Sequence, residues 1–236
     1  MSIAFCFLLT NKVVHIDVWE EFFSGVPTDL YDIYSHIKTV DTKKIPKWII
    51  DKKIPTIKTA WCGESLISAT ADMFREALRN KNNKHFILLS GECIPLYSFN
   101  HIYKELMKDG RTRIDYKYDE NYDSYCQSQW MSLNRDSAKV FINIEAHYGD
   151  LEKIEHTHCP DEIYPIHFLM DHLKNFDENI SNKSLTYTKW SPTAMHPFKF
   201  NQVNLNDKEI RKICESKSLF ARKFFKTAAG KIAMKC

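Results

Sequence analysis

An α/β fold with a largely parallel central sheet, Rossmann-like in layout, is predicted by three observations. Continuous apolar runs of the kind that a strand buried on both faces requires occur at Ile3-Ala4-Phe5-Cys6-Phe7-Leu8-Leu9 and at His85-Phe86-Ile87-Leu88-Leu89-Ser90. Segments with apolar residues spaced three and four apart alternate with the strand-like runs. A length of 236 residues with 44% hydrophobic content suits one domain with a sizeable core, so residues 1–236 are expected to form a single unit.

The elements follow in order. After the opening strand, Thr10-Asn11-Lys12 is a polar break, and a helix is expected around Trp19 to Phe23. Tyr31 to Ile37 reads as a second strand and Lys58 to Ala60 as a third. Ser65 is placed to cap a helix whose apolar face is Leu66, Ala69, Met73 and Ala77. The His85–Ser90 strand ends at Gly91-Glu92-Cys93-Ile94-Pro95, where glycine and proline stop simple continuation. Phe99, Ile102, Tyr103 and Leu106 mark another helix, closed near Gly110, and Asp109 to Gln127 reads as a long tyrosine-rich loop. A short strand over Gln129 to Asn134, helices over Arg135 to Asn143 and Ile163 to Leu173, a strand over Leu185 to Trp190 and a mainly helical stretch over Asp207 to Phe225 complete the chain. In open parallel sheets, ligands bind beyond the carboxyl ends of the strands, which puts Thr10-Asn11-Lys12, Trp61-Cys62-Gly63 and Ser90-Gly91-Glu92-Cys93 at one rim.

Composition narrows the function classes. A formal charge of +3 is too small to make nucleic acid the default partner. The basic residues gather between Lys208 and Lys235, a bias that suits an anion such as phosphate or simply a solvated helical face. The apolar start is too short to span a bilayer and lacks the basic region of a signal peptide, and no later window is apolar enough to cross. Seven cysteines without a C-x-x-C pair indicate no disulfide framework, and a reducing, cytoplasmic setting is expected. P-loop, dinucleotide, zincin and nucleophile-elbow signatures are all missing.

His156-Thr157-His158-Cys159-Pro160-Asp161-Glu162 is the densest cluster of reactive side chains. One reading is a metal site on His156, His158 and Cys159, as in a metal hydrolase. A second makes Glu162 a general base at a helix start, which Pro160 favours. A third leaves Asp161 and Glu162 as ordinary helix-start acids. The residues by themselves leave all three open.

A set of ordered segments adds to that reading. Ile3-Ala4-Phe5 with Thr10, Trp61-Cys62-Gly63-Glu64-Ser65-Leu66, Phe86 to Leu96, Ser128-Gln129-Trp130 with Asn134-Arg135, Pro160-Asp161-Glu162, Thr188-Lys189-Trp190-Ser191 with His196-Pro197, and Phe220-Ala221-Arg222-Lys223-Phe224 occur in sequence. Together they resemble the core-2/I-branching β-1,6-N-acetylglucosaminyltransferases and their plant relatives. The resemblance implies a GT-A-like fold and transfer of a sugar, with inversion, from a UDP-sugar (N-acetylglucosamine is the first expectation) to a glycan or glycoprotein hydroxyl. It makes Glu162 the base that deprotonates the acceptor. No D-x-D motif is present, so no metal and no other cofactor is expected. Lys223, assisted by Arg222, would hold the donor diphosphate, and Lys199 or His196 would stand in for an arginine that the animal enzymes carry after the tryptophan block. Thr10 and Asn11 fall where a nucleotide base or ribose would bind. Glu92, Asp161, Trp130 and Trp190 are assigned to the acceptor or sugar, the two tryptophans being equally explicable as core. Cys93 reads as a packed thiol. The chain also resembles a catalytic domain without the relatives' membrane anchor. A non-catalytic carbohydrate- or nucleotide-binding module on the same fold is the alternative.

Overall fold

In the computed structural model, which describes residues 1–39, 41–147, 159–191 and 196–236, strand β1 (Ser2–Leu9) sets the layout of the molecule. Its side chains alternate between two cores. Ile3, Phe5, Phe7 and Leu9 enter one, while Ala4 and Cys6 enter the other. β1 pairs in parallel with β2 (Tyr31–Ile37) on one side and β3 (Asn83–Ser90) on the other. The β3 register puts Ile87 beside Phe5 and Phe86 beside Ala4, so each core runs across strands without a break.

The large side chains of the first face meet Trp19 and Phe22 of helix α1 (Ile16–Phe23). They also meet Ile49 of α2 (Lys47–Ile50) and Phe99, Ile102 and Leu106 of α4 (Phe99–Asp109). The second face has small side chains at Ala4 and Cys6, which let α3 (Glu64–Leu78) approach through Ile67, Ala71 and Phe74. Helices α5 (Arg135–Phe141) and α6 (Tyr164–His172) cover the rest of that face. The result is helix, sheet, helix. Phe7 and Trp19 are completely buried with their rings edge to face at 5.1 Å, and truncating either to Ala is expected to cost about 3–5 kcal/mol.

The sheet continues through β8 (Ser132–Asn134), β5 (Thr112–Arg113) and β9 (Ile180–Ser181), the last entered from the short helix α7 (Phe176–Asn179), giving the order β2-β1-β3-β8-β5-β9. β8 is antiparallel to both neighbours, so the sheet is parallel at its centre and mixed toward that edge. Arg135 closes the junction: its guanidinium donates to the carbonyls of Leu78, Asn80 and Asn83 at 2.8–3.0 Å, satisfying the end of α3.

Several expectations are corrected. Lys58–Ala60 is not a strand, and Ser65 lies inside α3, its hydroxyl accepting from the Ala60 N–H at 2.9 Å. The Asp109–Gln127 loop contains β5 and an antiparallel hairpin, β6 (Tyr116–Asp119) with β7 (Ser124–Gln127). The C-terminal stretch is helical only over α8 (Asp207–Glu215) before it turns into strand β11 (Phe220–Arg222). β11 pairs with β10 (Thr186–Thr188) and with β4 (Ile94–Pro95) as a second, three-stranded sheet. This sheet covers a third core of Leu96, Phe200, Ile213 and Phe224, which also takes in Ala228 and Ala229 of α9 (Lys226–Ala229).

The expectation of unpaired thiols is also overturned. Cys62 is bonded to Cys159 and Cys214 to Cys236, across 97 and 22 residues. Folding brings together cysteines that sequence spacing gave no reason to pair, and the thiol argument for a reducing compartment goes with that expectation. Among the described residues no helix is long and apolar enough to cross a membrane.

Candidate functional site

At the carboxyl end of β1 and β3, backbone packing forms one wall of a rim. The Val14 N–H donates to the Gly91 carbonyl at 2.8 Å. A Cβ on Gly91 would lie 2.1 Å from the Lys12 carbonyl oxygen, so only glycine permits this approach. The next residue, Glu92, is thereby fixed in position, and its chain leads into β4.

Because β4 pairs with β11, the residues that follow β11 return to the same place. Phe200 donates to the Lys223 carbonyl at 2.9 Å and Phe225 donates to the Phe200 carbonyl at 2.8 Å, laying residues 198–200 beside 223–225. Three chain segments thus deliver Glu92, Lys199 and Lys223 to one point. Lys199 Nζ is 3.2 Å from Glu92 Oε1, and Lys223 Nζ is 3.0 Å from Glu92 Oε2. Burial pushes the Glu92 carboxyl up, but the hydrogen bonds and charges of Lys223 and Lys199 outweigh it and hold the group below its usual range. The Lys199 ammonium also lies over the Phe225 ring, 4.8 Å from its centroid.

His15 lies under this rim, between the Thr10–Lys12 break and α1. It is fully buried, and neither ring nitrogen has a hydrogen-bond partner among the described residues. Burial lowers its pKa to about 4, opposed in part by Asp17 and Glu92 and reinforced by Lys199, so the imidazole is neutral at physiological pH. Nothing in the sequence beyond its place after the first strand pointed to it. Thr10 and Asn11 are exposed at the same rim.

The second cluster is the 3-10 turn Pro160–Glu162, which leads into α6 and packs against α3. The turn closes through the Glu162 N–H donating to the Cys159 carbonyl at 2.9 Å, and the Cys62–Cys159 disulfide ties it to the loop before α3. Asp161 is 7% exposed and its Oδ1 has no partner among the described residues. Burial, and then the neighbouring Glu162 charge, raise its pKa to about 7. Glu162 is half-buried, and its charge reaches Cys126 on β7, whose thiol is pushed up by burial, Asp119 and Glu162 in that order.

Two aromatic contacts lie beside the clusters. Trp61, beside the disulfide and 66% exposed, meets the His196 ring at 6.1 Å, three residues before Lys199. Trp130 lies under Arg222, whose guanidinium carbon is 4.6 Å from the ring centroid. Trp130 is buried in the second-face core, so the structure gives it a packing role, whereas Trp190 is 55% exposed. Arg222 is spent on Trp130 and does not share Lys223's contact with Glu92. Cys93 is a buried thiol, pushed up by burial. Of the metal reading, His156 and His158 lie outside the described residues, and the Cys159 sulfur is committed to Cys62. Among the described residues no group of three or more potential ligands gathers.

This arrangement can hold an anion on two half-buried ammonium groups and place carboxyl groups at an adjoining turn. Known proteins resemble it in sequence. A family model described as Core-2/I-Branching enzyme matches residues 3–127 and 116–214, a span that includes Glu92, Glu162 and Lys199 and ends short of Lys223. "Glycosyltransferase BC10" of Oryza sativa subsp. japonica is 23% identical over 230 residues, covering 80% of this chain. The chain spans 57% of that relative's length. Among solved structures, "Crystal Structure of A197 from STIV" overlaps 58% of this chain and 67% of its own at 11% identity, with a TM-score of 0.31.

Proposed function

We propose, because this chain belongs to the Core-2/I-Branching enzyme family, that residues 1–236 form one GT-A-like catalytic unit. It acts as a metal-independent, inverting glycosyltransferase on a UDP-sugar, with N-acetylglucosamine as the first donor to test. The observation that carries the reading is the convergence of Lys199 and Lys223 at the carboxyl end of the central strands, joined by the Trp61–His196 contact to the Pro160–Glu162 turn.

In this reading the acceptor hydroxyl attacks the anomeric carbon while Glu162 takes its proton, and the nucleoside diphosphate leaves from the opposite face. A hydroxyl is a poor nucleophile at neutral pH, and a positioned carboxylate contributes about 10²–10⁴-fold. The leaving diphosphate gains charge as the glycosidic bond breaks, and two fixed ammonium groups in a partly desolvated site stabilise that charge as a metal ion would elsewhere. Thr10 and Asn11 border the place for the nucleotide, and Trp190 offers an exposed ring for a sugar face.

The test is incubation with UDP-N-acetylglucosamine, UDP-xylose and UDP-glucuronic acid in EDTA, with a glycan acceptor panel, following transfer and donor hydrolysis. EDTA-resistant turnover is expected. Glu162→Gln is expected to keep UDP binding and lose transfer by about 10²–10⁴-fold; near-normal transfer in that variant would remove Glu162 from the role. Thermal stabilisation by a donor without any turnover would instead identify a nucleotide-sugar-binding module.

A further inference from the structure

Glu92 spends one carboxylate oxygen on each of the two lysines assigned to the donor diphosphate, and this suggests a role that neither lysine has alone. We infer that Glu92 is a built-in anion that occupies the clamp in the absence of donor, is displaced by the diphosphate, and so sets how tightly a nucleoside diphosphate is held and how readily it leaves. The inference rests on the donor role proposed for Lys199 and Lys223.

The argument begins with charge. With Glu92 in place the three side chains present one net positive charge to an incoming anion; without it they present two. All three are largely screened from water, so their interactions are worth more than those of surface pairs. A multiply charged diphosphate wins this competition, but only against the cost of parting a carboxylate from two ammonium groups. The same carboxylate keeps the lysines gathered when no donor is bound, which spares the ordering of two long side chains on binding.

Exchange is also geometrically provided for. The backbone at Gly91 is held by the Lys12 carbonyl and by the Val14 hydrogen bond, so the loop itself does not shift and exchange proceeds by rotation of the Glu92 side chain. Lys199 has a second site of attraction in the Phe225 ring and stays in place when the carboxylate leaves. The position matters for turnover: a clamp of two uncompensated lysines would hold the product diphosphate as firmly as the donor's, and Glu92 returns to compete with it.

The test is the affinity of Glu92→Gln for UDP and for inorganic pyrophosphate, measured by calorimetry in EDTA beside the wild-type chain. The variant is expected to bind both about tenfold more tightly, equivalent to about 1.4 kcal/mol, and to show UDP product inhibition deepened by a similar factor. A purely structural Glu92 gives the opposite sign, because its loss would scatter the lysines and weaken binding. Unchanged or weaker binding by a folded Glu92→Gln overturns the inference, as does failure of both proteins to bind either probe. Glu92→Asp, which keeps the charge but is too short to span both lysines, is expected to fall between the two; if the Gln variant does not fold, equal or weaker binding by the Asp variant overturns the inference instead. Tighter binding by Glu92→Gln with no transfer from any donor leaves this inference standing and removes the proposed catalytic function.

Discussion

Glu92 and Asp161 are both carboxyl groups removed from most of the solvent, and their surroundings push them in opposite directions. At Glu92 two ammonium groups outweigh the effect of burial, and the group stays ionised. At Asp161 one oxygen has no partner among the described residues, the nearest named charge is the like-signed Glu162, and the pKa rises to about 7. Burial is common to both, so the difference comes from the partners alone. A rim proposed to hold an anion keeps fixed charges, and a turn proposed to move protons carries a carboxyl whose pKa is raised to about 7. Titratable groups driven apart by their environments are a recurrent mark of divided labour in active sites.

The largest test of this contrast is removal of one cation. Lys223→Met leaves Glu92 with Lys199 only and takes away half of the proposed diphosphate clamp. Truncating one partner of a largely buried charge pair typically costs about 2–5 kcal/mol, so kcat/KM for the donor is expected to fall by about 10²–10³-fold, with weaker UDP binding. The midpoint assigned to Asp161 should not move, because that residue's shift comes from burial and Glu162. A Lys223→Met enzyme that binds UDP normally would break the contrast from the rim side.

The disulfide offers the next test, directed at the turn. Replacing Cys62 and Cys159 together by Ser frees a loop closed across 97 residues, with an expected loss of stability of about 2–4 kcal/mol. Transfer should decline because the turn carrying Glu162 loses its tether to the loop before α3, while UDP binding at the rim survives. Equal loss of both functions would mean that the two clusters are one mechanical unit.

These differences were only partly legible in the sequence. β1, β2, β3 and α4 emerged almost to the residue, because apolar runs and three-and-four spacing report burial on a face directly. The β6–β7 hairpin did not, since its strands are only four residues long and rich in polar and half-exposed side chains. β11 is only three residues long, follows an amphipathic helix, and forms only because β4 and β10 flank it. The sequence assigns Lys199 and Lys223 to the diphosphate, Glu162 to the base and Glu92 to the acceptor; the pairing of Glu92 with lysines more than a hundred residues away comes from the fold. Long-range pairings, whether the ion pairs of Glu92 or the two disulfides, depend on how loops return to a rim. No local pattern encodes them.

The smallest expected effect is the most specific to the turn. The folded-state pKa of Asp161 lies above its unfolded value, so between about pH 4 and pH 7 the folded chain retains a proton that the unfolded chain has released. Its contribution to stability is therefore fully present near pH 4 and is lost as pH rises through about 7. His15 and His85 act in the opposite sense: burial lowers both to about 4, so their contributions are present above about 6.5 and disappear as pH falls. The slopes overlap in the wild-type chain, but the histidines are common to it and to Asp161→Asn and cancel in the difference. The Asn variant is expected to gain on the wild type steadily from pH 4 to pH 7 and then hold a constant difference in melting temperature. A difference that stays flat across that range would mean that Asp161 is ionised throughout, and the two carboxyl groups would then differ in location but not in chemistry.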